Sequence, residues 1–273
     1  MKTTLVISSF VAASRVGASA STFCLRRLGI ETVTLPTTLL GRHPGWGAPG
    51  GAAVEAKTLE NMWEGVKAQT IQFDAVLTGY ISSPAQVDLA ARIIEHTKTK
   101  NPEAIILVDP VMGDHGKLYI DGAVAEKIKT DLIPLADLIT PNVWELGHLT
   151  GLPVETQAQI FRAARTAHTG TIVTSVPDGD NIGAAFISGG NVSLVSHERF
   201  KTIPHGGGDA LAGTVLAHRL SGLPTEDALA KAVAGIFEII SAANTGDAGE
   251  LPLIRRQGIL ETTPPLAIKR TTL

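Results

Sequence analysis

The chain has 273 residues, of which 44% are hydrophobic and 18% charged, and its formal net charge is −3. Such a composition supplies a large core without being membrane-like, and its charge balance excludes the broad basic field that nucleic acid or an anionic membrane would attract. One cysteine, Cys24, excludes an internal disulfide framework and a multi-cysteine metal site; it fits a reducing cytoplasm and reads as a core residue.

The first twenty residues have the outline of a secretory leader, with Lys2, an apolar run from Leu5 to Ala13 and the triplet Ala18-Ser19-Ala20. Arg15 and Gly17 interrupt that outline. The same stretch reads better as a buried strand, Thr4 to Ser9, then a loop and a helix from Ser19 to Leu28 stopped by Gly29. Strand-like runs recur at Thr32–Leu35, Ala75–Gly79, Ile105–Asp109, Leu138–Thr140 and Thr171–Ser175, alternating with helix-like segments. This alternation predicts one α/β domain over residues 1–273, with a mostly parallel sheet, helices on both faces, and ligands gathered beyond the carboxyl ends of the strands. Gly183–Ile187 and Val192–His197 flank Gly189-Gly190-Asn191 and predict an antiparallel hairpin at the sheet's edge. Two helices follow, Asp209–Ser221 and Thr225–Ala243. Lys231 and Glu238 make the second an amphipathic buried helix rather than a membrane span. The Pro- and Thr-containing tail from Thr262 is expected to be extended and poorly packed.

The chemistry concentrates at strand ends. Ile203-Pro204-His205-Gly206-Gly207-Gly208-Asp209 runs straight into a helical pattern. Three glycines let consecutive N–H groups converge on an anion, and the helix adds its positive end. Asp209 would stand beside a phosphate held there, placed to take a proton from an attacking hydroxyl. Gly-Asp is also a common helix entry with Asp as cap, so this motif alone leaves both readings open. Asp109-Pro110-Val111-Met112-Gly113-Asp114 puts a carboxylate where a strand stops, in reach of a phosphate's magnesium or simply opening a turn. Asn142-Val143-Trp144-Glu145 has the spacing of a capping box, and the hydroxyls of Val173-Thr174-Ser175 can meet a phosphate or begin a turn. The polar segment Gly113 to Ile120, with Lys117, is a candidate lid. No G-x-x-x-x-G-K-[ST] and no G-x-G-x-x-G after the first strand are present, and the histidines lack metal-ligand spacing.

An Asp, an Asn-x-x-Glu and a late Gly-Gly-Gly-Asp, in that order, resemble the ribokinase superfamily. The N-terminal half is similar to the pyridoxal kinases of that superfamily through Ile7-Ser8-Ser9-Phe10-Val11, Val16-Gly17, Arg26-Arg27-Leu28-Gly29, His43 with Trp46-Gly47, Leu77-Thr78-Gly79-Tyr80 and Asp109-Pro110-Val111-Met112-Gly113. The resemblance covers residues 4–245. It implies a ribokinase-like three-layer sandwich, ATP-dependent phosphorylation of the hydroxymethyl group of pyridoxal, a homodimer, Mg2+, and room for a monovalent cation such as K+. It also implies that Asp209 is the catalytic base and that Gly206, Gly207 and Gly208 form the anion hole. Asp109 and Glu145 would organise magnesium and its waters, while Asn142 and Thr174 meet ATP phosphates. Ser9, Gly17 and Asp209 would contact the substrate, with His43, Trp46 and Tyr80 shaping the pocket around its ring. Trp63 and Trp144 read as core. Two positions depart from the pattern. His43-Pro44 stands where His-Thr is common, and Ala18 where Asn is. Pro44 removes a hydroxyl and an N–H, so a hydroxymethylpyrimidine kinase and a non-catalytic vitamin-binding relative are the competing expectations.

Overall fold

A computed structural model describes residues 1–168, 170–244 and 249–273. Its N-terminal strand shows how the sheet is built. In Thr3–Val11 (β1), Leu5 and Ile7 point into one buried cluster and Val6 into another, the period-two alternation of a strand covered on both faces. Next come Ala18–Arg27 (α1), Glu31–Leu40 (β2), Gly51–Ala53 (β3), Ala56–Lys67 (α2), Ala75–Thr78 (β4), Pro84–Lys100 (α3) and Ile105–Val108 (β5). The middle of the chain supplies Gly113–Asp114 (β6), Lys117–Leu118 (β7), Gly122–Lys127 (α4), Leu138–Ile139 (β8), Val143–Thr150 (α5) and Gln157–Ala167 (α6). The rest is Thr171–Asp178 (β9), Asn181–Ser188 (β10), Asn191–Glu198 (β11), Gly207–Leu220 (α7), Thr225–Asn244 (α8), Ile259–Thr262 (α9) and Lys269–Thr272 (β12).

Ten strands form one sheet in the order β12-β11-β10-β9-β8-β5-β4-β1-β2-β3. The block from β9 to β2 is parallel, with Leu5 opposite both Val33 and Val76, while β9 to β12 run antiparallel. On one face Leu5, Ile7, Val76, Ile106 and Val108 meet Trp63 of α2 and Val87, Ile93 and Ile94 of α3. On the other, Val6, Leu77 and Leu107 meet Leu25 of α1 and Leu216 of α7. The layers are helix, sheet, helix, the ribokinase-like α/β arrangement. Cys24 is fully buried and Trp63 is 5% exposed, whereas Trp144 is half-buried and stacks on His148.

The antiparallel hairpin of β10 and β11 stands at the sheet's edge as expected, with one short strand, β12, added outside β11, Leu194 opposite Lys269. Two expectations need correction. The tail from Thr262 is packed, not loose: Leu266 and Ile268 lie against the α7–α8 core and deliver the strand. Its Lys-Arg-Thr-Thr composition, exposed throughout, has no apolar alternation to betray it, yet it satisfies the outer backbone groups of β11. Likewise β9 does not end at Ser175. The strand bulges there, with Ser175 at φ 62° and a register shift between Gly183 and Ala185, and continues to Asp178. Among the described residues no helix is long and apolar enough to cross a membrane.

Candidate active site

The chain leaves β1 toward β2 on one side and returns to β4 on the other, so the crevice beyond the carboxyl ends of β1 and β4 is a topological switch point. Ser8, Ser9, Gly17, Gly79 and Asp209 meet there. A Cβ on Gly79 would stand 2.5 Å from Ser8 Oγ and 3.9 Å from Asp209 Oδ1, and a Cβ on Gly17 would strike the hydroxyl and carbonyl of Ser9. Gly17, at φ 55°, also turns its N–H to the Asp209 carboxylate. Asp209 lies in the first turn of α7, behind Gly206 at φ 91°. Desolvation raises its pKa to about 6, against the pull of the Gly17 N–H and its own. At neutral pH it is mostly an ionised, proton-accepting group. Gly206 has no room for a side chain, since a Cβ would collide with the Arg15 carbonyl, but nothing stands within 4 Å of a Cβ on Gly208. The first turn of α7 thus has open space at Gly208, next to the Asp209 carboxylate.

A second set of groups gathers where β5 and β8 end. Asp109 is 8% exposed, and its carboxyl is held well above the usual range by burial, then by the charges of Glu145 and Asp209, against the effect of the Thr140 hydroxyl. Asn142 and Glu145 form the expected capping box on α5. They also do something that spacing does not reveal. Glu145 Oε1 accepts from Met112 N at 2.8 Å and Gly113 N at 3.4 Å, and its Oε2 accepts from Asn142 N at 2.9 Å. Asn142 Nδ2 donates to Gly113 O at 2.9 Å. The pair therefore clamps the turn after Asp109, where the β-branched Val111 is forced to φ 30°. Burial raises the Glu145 pKa and the three N–H groups oppose it. Thr174 bridges to Asn142, its N–H donating to Pro141 O at 2.9 Å. The candidate lid is an ordered hairpin, β6 and β7, whose central residues His115 and Gly116 take φ 49° and 81°, the type I′ pattern.

The loop that carries His43 and Trp46 is built differently. Pro44–Trp46 is a 3₁₀ turn with no buried residue, and His43 Nδ1 caps it by accepting from Gly45 N at 3.1 Å. Trp46 is 38% exposed and meets the His43 ring edge-on at 5.9 Å. Tyr80 follows Gly79 directly, half-buried, with its carbonyl fixed by Thr37 Oγ1 at 2.6 Å and its phenol pKa raised by burial.

Residues 27–253 match the phosphomethylpyrimidine kinase family. The chain is 31% identical to pyridoxal kinase PdxY of Leifsonia xyli, with 93% of each chain covered. The chain belongs to the pyridoxal kinase branch of this family. A crystal structure of pyridoxal kinase from Entamoeba histolytica matches it with a TM-score of 0.92 and 26% identity over 100% of both chains. Pyridoxal kinase from Leishmania donovani in complex with ADP and ginkgotoxin matches at 0.92 and 25%, again over 100% of both.

The residues expected from the sequence fall into three groups. Ser9, Gly17, Asp209 and the three glycines share the switch-point crevice, and Asp109, Asn142, Glu145 and Thr174 cluster beside it. His43 and Trp46 form a third unit whose partner is His205, a residue read in the sequence only as part of the glycine motif. Tyr119 was also not singled out. It leaves the hairpin 54% exposed, with its N–H on Met112 O at 3.1 Å, and partial desolvation together with Glu145, Asp109, Asp114 and Asp209 raises its phenol pKa. The signal was available, since a tyrosine closing a polar lid is well placed for a ligand.

Proposed function

We propose that the chain transfers the γ-phosphoryl group of ATP to the hydroxymethyl oxygen of pyridoxal, giving pyridoxal 5′-phosphate. The observation that carries this reading is Asp209, a carboxylate with a pKa raised to about 6 in the first turn of α7, behind Gly206 and beside the open space at Gly208. Asp209 takes the hydroxyl proton as the oxygen–phosphorus bond forms and the bond from that phosphorus to ADP breaks. The N–H groups of Gly206, Gly207 and Gly208 stabilise the charge on the transferring group. Ser9 and Gly17 orient the substrate against Asp209, while His43, Trp46 and Tyr80 supply flat walls for its ring. Asn142 and Thr174 meet the nucleotide phosphates.

The carboxylates fit a divalent cation. No ion pair among the described residues engages Asp109, Glu145 or Asp209, and their mutual repulsion already raises Asp109. Asp109 would hold Mg2+ with Glu145 acting through water, because both Glu145 oxygens are already engaged by backbone N–H groups. Bound Mg2+ neutralises charge on the phosphate oxygens. The proposal treats residues 1–273 as one catalytic unit in a cytoplasmic homodimer. The exposed pair Phe10 and Leu39, opposite each other on β1 and β2, supports a face for a second copy. A monovalent cation such as K+ is part of the same reading.

A hydroxymethylpyrimidine substrate is the second reading, favoured by the description of the matching family. Purified protein assayed with ATP and Mg2+ on pyridoxal and hydroxymethylpyrimidine side by side decides between them. Phosphorylation of pyridoxal with the higher kcat/KM supports the proposal; preference for the pyrimidine overturns it.

A further inference from the structure

The loop that carries His43 and Trp46 is rich in Gly and Pro, buries no side chain in its 3₁₀ turn, and has no N–H to donate at Pro44. Its hydrogen bonds are largely internal: Gly45 N–H to His43 Nδ1, and Arg42 Nε to Ala48 O at 2.8 Å. Such a loop needs something outside itself to hold its tip. That contact is an imidazole. The rings of His43 and His205 stack with centroids 4.1 Å apart and planes 26° from parallel, and Trp46 meets the His205 ring edge-on at 6.2 Å. A Cβ on Gly45 would stand 3.3 Å from His205 Nε2, so the turn fits closely over that ring.

His205 is itself anchored. Its backbone forms an isolated parallel bridge with that of Glu250, whose side-chain Oε2 accepts from Arg15 N–H at 2.6 Å, and the next residue, Gly206, packs against the Arg15 carbonyl. The ring therefore stands on the backbone that shapes the anion hole and presents its face to the loop around the substrate ring. We propose that His205 is a positioning residue for vitamer recognition: by stacking on His43 it docks the His43–Gly47 turn onto the anion-hole segment, so that the substrate pocket and the phosphate cradle are ordered together. This inference rests on the kinase reading above for its catalytic readout alone.

The test compares His205→Ala, His205→Asn and His205→Phe with the parent protein. Aromatic stacking of this kind is expected to be worth about tenfold in KM for pyridoxal, lost in the Ala and Asn variants and restored to within about twofold by Phe, with the KM for ATP and kcat changed by less than about threefold. Limited trypsin digestion, with the 1–42 fragment followed by mass, reads the loop without any turnover. Cleavage after the exposed Arg42 should quicken in Ala and Asn and stay slow in Phe. An unchanged KM and cleavage rate in Ala overturns the inference, as does rescue by Asn but not by Phe, which would make the contact a hydrogen bond. A parent protein that phosphorylates no vitamer sinks the kinase reading, and the digestion rates then decide the role of His205 on their own. Unfolding midpoints of the three variants separate local loosening from loss of the fold.

Discussion

The proposed phosphate end and the proposed vitamin end of this site are held by different forces. At the phosphate end, backbone does the positioning: Glu145 takes three N–H groups, Asn142 ties down Gly113, and Gly206 sits where a side chain would collide with Arg15. At the vitamin end, an exposed turn is held by ring faces, with Trp46 still 38% accessible. Backbone-positioned chemistry tolerates little change, because each donor has one geometry; ring packing leaves latitude, and Pro44, one of the two departures expected from the sequence, lies in that turn. The contrast teaches that the reaction is more firmly determined by this structure than the choice among related ring substrates.

Changes at the phosphate end should cost more. Gly17→Ala places a methyl group against the Ser9 hydroxyl and carbonyl in a left-handed conformation and moves the N–H that faces Asp209. Steady-state kinetics should show a loss of about a hundredfold in kcat/KM; a loss under threefold would break the comparison. Glu145→Ala strands the N–H groups of Met112, Gly113 and Asn142, and should destabilise by about 3 kcal/mol, lowering the thermal midpoint by roughly 5–10 °C. An unchanged midpoint would mean water replaces the clamp.

Two smaller effects depend on pH. With the Asp209 pKa near 6, kcat/KM should fall about tenfold between pH 7 and pH 5 as the base is protonated. A profile flat through that window would place the controlling ionisation elsewhere. His218, 5% exposed with its Nε2 unpartnered, has its pKa lowered to about 4 by burial and by Lys231. The unfolded chain therefore binds the extra proton between about pH 6.5 and pH 4, so this contribution is intact above pH 6.5 and is lost as pH falls. Asp109 and Asp209, both raised in the fold, act in the opposite sense over the acid range. The difference between parent and His218→Gln isolates the histidine: urea unfolding should show the parent losing about 2 kcal/mol more than the variant from pH 7 to pH 5.

What could be read from the sequence follows the same division. Glycines before Asp209, Asp109 at a strand end and the Asn142–Glu145 spacing are local patterns, since caps and anion holes are made by neighbouring residues. The alternation of strand and helix signals likewise gave the parallel sheet its strands. Contacts between distant segments left no such trace. Arg15 meets Glu250 across 235 positions and Glu145 reaches Met112 across 33, and neither spacing carries a period. The polar strand β12 was missed for a related reason, because backbone pairing with β11 rather than side-chain burial defines it.

The central claim is that Asp209 is the base, and Asp209→Asn tests it most directly, with turnover and pyridoxal binding measured on the same preparation in saturating Mg2+ and ATP. The account predicts that kcat falls by about a thousandfold while the Kd for pyridoxal moves by less than about fivefold. Retention of most of the turnover would contradict it.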